Sequence, residues 1–126
     1  MAFGTLKADT LTHSTAGSLT TDYVVNGSAK AFLVGNQGTA TALKSLNVSS
    51  YVDAATGNGE TNFTNSMDSS SFSVPGSHSD NNSFYQVRRP STGETTSSKV
   101  RVRTYDGAGS ANDDEFVSHA IFGDLA

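Results

Sequence analysis

The chain has 126 residues, a length that suits one domain and leaves no room for a second hydrophobic core. Its formal net charge is -4 and only 16% of its residues are charged, so it lacks the excess of cations that binding to nucleic acid or an anionic membrane requires. It contains no cysteine, which excludes disulfides and thiolate metal sites. With no signal-peptide pattern and no apolar run of about 20 residues, we expect a soluble protein.

The first 22 residues are polar, and their few apolar side chains are too irregularly spaced to define a helical stripe. We interpret residues 1–22 as an extended N-terminal arm and residues 23–126 as a single β-domain. Because such a segment adds little to a core, we expect it to anchor the chain to a partner surface. The candidate anchoring residues are Phe3, Leu6, Leu11 and Leu19.

From residue 23 onward, short apolar runs alternate with turn residues, a pattern typical of strands. The pair Asn58-Gly59 predicts a two-residue hairpin turn, because both residues readily adopt positive φ. The regular spacing and the lack of a helical crossover predict an all-β fold, an antiparallel β-sandwich that is jelly-roll-like or a small barrel. The predicted strands cover residues 23–25, 29–34, 39–43, 46–53, 61–65, 71–77, 83–89, 98–105 and 115–122.

Residues 99–105 alternate most clearly between apolar and charged side chains. This alternation predicts that Val100 and Val102 face inward while Lys99, Arg101 and Arg103 lie on the opposite face. Large apolar residues are few in the whole chain, so the core of an isolated domain would be thin. We therefore expect oligomerisation to add buried area.

The segment 22–32, Asp-Tyr-Val-Val-Asn-Gly-Ser-Ala-Lys-Ala-Phe, resembles the start of a β-rich domain found at the C-terminal end of many phage tail-fibre proteins, notably in marine phages. That family shows a V-N-G-S-A-K-A-aromatic pattern. The family often has Trp where this chain has Phe32 and an aliphatic residue where it has His119. The similarity continues through residues 46–50, the Asn58-Gly59 pair, residues 62–64, Met67, and residues 116–118 and 120–123.

The resemblance implies a structural protein of a phage virion, with three copies around a threefold axis. Because a short arm takes the place of the long shaft of fibre proteins, we expect a small fibre or decoration-type protein. It would assemble in the host cytoplasm and lie on the virion surface, attached by its arm to other virion proteins of capsid or tail. The alternatives are a tail-associated adhesin that recognises host surface glycans and, less favoured, a glycan-degrading enzyme.

Five of the eight Lys and Arg residues fall in two neighbouring predicted strands. The simplest interpretation is a solvated face whose charges protect a sheet edge. The alternative is contact with acidic groups of an adjacent copy or of another virion protein. The residues of such a contact between subunits would be Arg88, Arg89, Arg101, Arg103, Asp113, Asp114 and Glu115.

A second group of residues has the aromatic and amide chemistry with which proteins bind sugars, although tyrosine is also an ordinary strand residue. We expect any host contact to lie at loop tips near Asn58, Asn81 and Gly109, since loops vary without disturbing a core. The candidate glycan contacts are Tyr51, Asn58, Asn81, Asn82, Tyr85 and Tyr105.

The sequence offers no strong metal or catalytic motif. His13, His78 and His119 lack ligand spacing, and the oxygen-rich segment 106–115 lacks the spacing of a calcium loop. No serine lies in a Gly-x-Ser-x-Gly elbow. Acidic pairs such as Asp53 with Glu60, or Asp80 with Glu94, could hydrolyse glycans only if the fold brought them together beside a long groove. We therefore expect no enzyme activity, no metal and no cofactor.

Overall fold

The computed structural model describes residues 8–15, 17–78, 83–86 and 94–126. Ten strands and one short helix lie in these ranges, and none of the described helices is long and apolar enough to cross a membrane. The elements are β1 (Thr10–His13), β2 (Gly17–Thr20), α1 (Thr21–Gly27), β3 (Ala31–Asn36), β4 (Thr41–Leu46), β5 (Val48–Ala55), β6 (Asn58–Phe63), β7 (Gly76–His78), β8 (Ser83–Gln86), β9 (Lys99–Asp106) and β10 (Val117–Ile121).

Eight of these strands form two four-stranded antiparallel sheets, which confirms the predicted all-β sandwich. One sheet has the order β4-β3-β10-β7 and the other has the order β5-β6-β9-β8. Each central pair joins strands that are distant in sequence, β3 with β10 and β6 with β9. Neither sheet closes into a barrel.

The core lies between the sheets and follows from strict alternation along the central strands, where every second residue is buried. Val100 and Val102 are fully buried, as predicted, and the charged side chains between them point outward. Phe63 and Phe72 meet edge to face with ring centroids 5.8 Å apart, a geometry that aromatic pairs prefer. The larger buried cluster comprises Ala31, Phe63, Met67, Phe72, Val100 and Ile121.

A second buried cluster contains Leu33, Tyr51 and Val117. The Tyr51 ring lies between two glycines, one from each sheet. A Cβ on Gly59 would collide with the Tyr51 hydroxyl, and one on Gly35 would lie 3.2 Å from Cε1 of the same ring. The Tyr51 ring thus occupies the space that a side chain at Gly35 or Gly59 would need.

The predicted strand at residues 23–25 is wrong, because these residues lie in α1. Tyr-Val-Val favours a strand by propensity, but in the described part of the chain this segment pairs with no other strand. Local contacts support the helix instead. Asp22 lies in its first turn, where a carboxylate is favourable, and the Lys30 ammonium bonds the carbonyl of Val25 near its C-terminal end.

The predicted hairpin between residues 46–53 and 61–65 exists, but its turn is at Thr56-Gly57 and not at Asn58-Gly59. Gly57 has a φ of 69°. Partners distant in sequence hold it, since its N–H donates to the Asp113 carboxylate and its carbonyl accepts from the N–H of Thr104. A local turn preference carries no information about these partners.

Residues 8–15 and 17–28 contain a hairpin followed by a helix, here called the N-terminal unit. Strand β1 pairs with β2 through four residue pairs from Thr10↔Thr20 to His13↔Gly17. The N–H of Thr21 donates to the carbonyl of Asp9, which closes the hairpin onto α1. The described part of the segment predicted as an extended arm therefore folds back on itself, and the boundary predicted after residue 22 lies within α1.

Candidate interaction surfaces

The outer face of the β4-β3-β10-β7 sheet is apolar along its central strands. Register places Phe32 beside Leu46 and Ala120, and Val34 beside Ser118, so these side chains share one face. Except for Leu46, these side chains line a shallow groove of about 460 Å³, here called the apolar groove. Its outward-facing lining includes Phe32, Val34, Pro75, Ser77, Ser118, Ala120 and Phe122.

Strand β4 extends this apolar surface to the edge of the sheet. All six of its residues are exposed, and Leu43 and Leu46 expose 53% and 51% of their surface. Lys44 lies opposite Val34 and is the charged residue of this strand. An exposed edge next to an apolar face is a common place for protein contacts.

The outer face of the β5-β6-β9-β8 sheet is charged, and its charges pair within the chain. Glu60 accepts from Arg101 at 2.8 Å and from Lys99 at 3.0 Å. Glu94 accepts from Arg101 at 3.0 Å and lies 3.3 Å from the Arg103 guanidinium. Burial alone would raise the pKa of Glu60, but the hydrogen bonds from Arg101 and Lys99 outweigh it and hold that pKa below its usual value.

These pairs bear on the predicted charge contacts between subunits. Arg101 and Arg103 already have partners in their own chain, and Asp113 accepts from Gly57. Asp114 is buried, with Oδ2 at 3.3 Å from Nδ1 of His78. Of the three predicted acidic partners, only the side chain of Glu115 is exposed. Arg88 and Arg89 lie outside the described residues, and contact between subunits through this face stays a prediction.

A buried polar network fixes the connection between β9 and β10, and the sequence patterns did not reveal it as a unit. The Thr104 hydroxyl donates to Oε1 of Gln37 at 2.6 Å, and the same oxygen accepts from the N–H of Asp114 at 3.2 Å. Gln37 and Thr104 are both fully buried. Thr104 follows Val100 and Val102 at the same spacing of two residues. This alternation is the sequence signal that could have predicted a buried Thr104.

The histidines do not form a metal site in the described part of the chain. His119 is buried and hydrogen-bonds Thr61 across the two sheets at 3.0 Å, whereas His78 lies beside Asp114. Among the described residues, no group of three or more His, Cys, Asp or Glu side chains could hold a metal ion. Burial lowers the pKa of His119 to about 4, so the ring is neutral at pH 7. The side chain of His13 lies outside the described residues.

The acidic pairs weighed for glycan hydrolysis are not brought together where the structure describes them. Asp53 pairs with Gly59 and Glu60 pairs with Val52, so neighbouring register positions place the two carboxylates on opposite faces of the sheet. Glu60 and Glu94 are both committed to ion pairs. Asp80 lies outside the described residues.

The candidate glycan contacts are dispersed. Tyr51 is buried in the second core cluster, so its ring is not available on the surface. Asn58 is half-buried beside the β5–β6 turn, and Tyr105 is half-buried in β9. Asn81, Asn82 and the side chain of Tyr85 lie outside the described residues.

The anchoring candidates can be placed in part. Leu11 lies in β1 and exposes 41% of its surface, whereas Phe3, Leu6 and the side chain of Leu19 lie outside the described residues. Helix α1 adds three exposed apolar residues, which the prediction of a strand at residues 23–25 did not identify as candidate contacts. Tyr23, Val24 and Val25 expose 69%, 40% and 58% of their surface, and no residue of the helix is buried.

The chain thus presents an apolar groove, a charged face with internal pairing and an N-terminal unit with exposed apolar residues. Comparisons with protein-family models, with curated proteins and with solved structures find no significant match.

Proposed function

We propose that the protein is a structural component of a phage virion, a trimeric fibre or decoration-type surface protein attached through its N-terminal segment. One observation carries this proposal. The N-terminal unit exposes Leu11, Tyr23, Val24 and Val25 and buries none of α1 against the sandwich. A segment of this kind is stable when it binds a partner, because a seven-residue helix is marginal by itself.

The sandwich supports a presenting role over a chemical one. The buried Thr104 hydroxyl, for example, bonds Gln37 and the backbone carbonyl of Asn112 inside the fold. The Arg101 and Glu60 side chains on the charged face neutralise each other. The resemblance of residues 22–32 to phage tail-fibre domains gives the class of particle.

The trimer is supported by how little apolar surface the domain buries. Among the described residues, ten apolar side chains are buried, and one of them is an alanine. Burial at about 25 cal/mol per Å² from so few side chains does little more than offset the entropy of ordering the chain. Contact among three copies through exposed apolar residues would add the missing burial.

The test is to locate the protein on purified phage particles with an antibody against the sandwich, by gold-label electron microscopy and quantitative mass spectrometry. We expect labelling of the particle surface and a copy number that is a multiple of three. Particles that lack the protein would overturn the proposal. Labelling at many capsid positions indicates decoration, and labelling only at the tail indicates the adhesin.

The adhesin is a second candidate because several loops meet at one end of the sandwich. The β5–β6 turn approaches the β9–β10 connection, with a Gly57 Cβ position 2.9 Å from the backbone N of Asn112. Asp106 stabilises the connection by accepting from the N–H groups of Ala108 and Ser110. Loops grouped in this way can offer a polar contact surface that is weak per site and strong in arrays.

The adhesin is tested by comparing host-cell binding of trimers displayed on particles with binding of free trimers. If the adhesin is correct, arrays bind much better, and Asn58→Ala lowers binding without changing the melting temperature. If arrays bind no better than a control protein, the adhesin is wrong and the architectural role is the proposal that remains.

A further inference from the structure

We propose that α1 of one copy packs into the apolar groove of the next copy, so that three identical contacts close the ring. The inference rests on the trimer of the proposed function and names the surfaces that form it. The partner is therefore a second copy of this chain, joined through two different surfaces. A contact between different surfaces can be repeated around an axis and closes when the rotation permits.

The groove has the chemistry of a helix-binding surface. Phe32, Val34, Ala120 and Phe122 supply apolar walls, and the small residues Gly76, Ser77 and Ser118 leave space between them. The sheet has no described layer on this outer side, since the second sheet packs on its inner side. An apolar groove that is open on one side of a sandwich is a candidate surface for protein contact.

Helix α1 offers the matching surface. Tyr23, Val24 and Val25 are consecutive, so they project around more than half of the helix and cannot all rest on the hairpin that precedes it. A ring and two β-branched side chains suit a groove lined by phenylalanine and small residues. Binding in such a groove would remove the cost of a short, exposed helix.

Charge favours the same pairing. Asp22 is in the first turn of α1, next to the apolar residues. Lys44 lies opposite Val34 on the outer face of the sheet, next to the groove. Both side chains are exposed in the single chain. Opposite charges at the rim of an apolar contact set its orientation more than its strength.

The helix is held away from its own groove. Only residues 28–30 separate α1 from β3, and the N–H of Lys30 donates to the carbonyl of Ile121, which continues the β3–β10 pairing. The Lys30 ammonium also bonds the carbonyl of Val25 and the Ser28 hydroxyl. These bonds fix the short connection, and α1 contacts mainly β2 of its own chain. A neighbouring copy is then the source of a helix for the groove.

The experiment uses introduced cysteines, because the chain has none of its own. One population carries Val24→Cys and the other carries Ser118→Cys, whose side chain lines the groove. An added tag on one population makes mixed dimers distinct in mass. The control for the groove position is Val52→Cys, which takes the place of Ser118→Cys and lies on the other sheet. Val52 is more exposed than Ser118, so a weaker cross-link at Val52 is not explained by poorer access.

We expect the Val24→Cys and Ser118→Cys populations to form roughly tenfold or more mixed disulfide dimer than Val24→Cys with Val52→Cys, because assembly raises the effective concentration of the reacting pair. Val24→Ser with Val25→Ser should also convert trimer into monomer in light scattering, whereas Val52→Ser should leave the trimer intact.

Other outcomes overturn the inference in different ways. A further variant carries Val24→Cys and Ser118→Cys in the same chain, and a cross-link that forms only within that chain means that the helix covers its own groove. A trimer without the mixed cross-link leaves the proposed function standing and places the contact elsewhere. A full-length protein that stays monomeric at micromolar concentration removes both this contact and the proposed trimer.

Discussion

His119 is a polar side chain in the layer where apolar residues meet. It lies in β10 between Val117 and Ile121, and its ring bonds the Thr61 hydroxyl of the other sheet. A hydrogen bond therefore joins the two sheets at 3.0 Å, at a position where an apolar side chain would join them by packing alone.

We predict that His119 makes the fold sensitive to acid. Burial lowers the pKa of His119 to about 4 in the folded protein, against 6.5 for an unperturbed histidine. The unfolded chain therefore binds more protons below pH 6.5, and stability falls as the pH drops from 6.5 towards 4, by roughly 3 kcal/mol in total. Urea unfolding across this range measures the loss.

The control is the double variant His119→Leu with Thr61→Val, which removes both hydrogen-bonding groups and leaves no unpaired hydroxyl. Its stability between pH 6.5 and 5 should change less than that of the natural chain. Glu60 does not interfere in this interval, because its pKa lies below 4.5 and its contribution is lost only at lower pH. Equal slopes for both proteins would assign the acid sensitivity to other groups.

Gly59 and Tyr51 give a second prediction at single residues. Gly59→Ala should lower the free energy of unfolding by about 1–3 kcal/mol, because the new Cβ would meet the Tyr51 hydroxyl. Tyr51→Phe should cost little, since that hydroxyl is buried with no hydrogen-bond partner among the described residues.

The double variant tests whether the ring and the glycine are coupled. Tyr51→Phe should recover part of the loss in Gly59→Ala, because it removes the nearest atom while Cε2 and Cζ stay 2.8 Å from the Cβ position. Thermal or urea unfolding of the four proteins gives the coupling free energy. A value near zero would show that the ring moves aside freely.

At the level of elements, β9 was the most predictable strand. The sequence of β9 itself determines which face is buried. If the valines face inward, the lysine and arginines face outward, whereas a shift by one residue would bury unpaired charges. Two of the elements that were predicted wrongly depend on partners distant in sequence or on local bonds. The β5–β6 turn is held by Asp113 and Thr104, and α1 forms where no strand pairs with residues 23–25 among the described residues.

The candidate surfaces were also predictable only where the signal lies within one strand, and not where it depends on partners distant in sequence. The basic alternation of β9 was visible in the sequence, whereas its pairing with Glu60 and Glu94 depends on which strand lies beside it and on the chain before β9. The groove could not be predicted, because Phe32 and Ala120 are far apart in sequence and become neighbours only when β3 pairs with β10. Tyr51 was a candidate glycan contact because of its aromatic chemistry, yet the sheet turns its ring inward.

Strand β9 supplies a third prediction through two adjacent substitutions. Val102→Asp should prevent folding or cost several kcal/mol, because it places an unpaired carboxylate in the core. Arg101→Ser should cost about 0–1 kcal/mol, because it breaks pairs with Glu60 and Glu94 on a partly exposed face. Circular dichroism melting compares them, and similar losses for the two variants would mean that the outer face is also covered in the assembly.

At the scale of the whole molecule, the two outer faces have opposite chemistry. One face satisfies its own charges, as in the pair Arg101 and Glu60, and gains little from a partner. The other leaves Phe32 and Val34 beside a groove and an exposed β4 edge. Assembly that covers the second face and leaves the first in solvent would present the charged sheet and the loop end outward.

The last prediction concerns a chain that lacks residues 1–28. The sandwich should still fold, because β3 begins at Ala31 and the described core residues all lie at or beyond that position. It should nevertheless lose both the trimer and attachment to particles, since the exposed apolar residues of α1 are removed. The melting temperature of the full chain should rise with protein concentration, whereas that of the truncated chain should be independent of it. Light scattering and melting curves at several concentrations measure both effects. If the truncated chain still melts at a temperature that rises with concentration, subunits associate through another surface, and the exposed β4 edge with Leu43 and Leu46 becomes the first region to substitute.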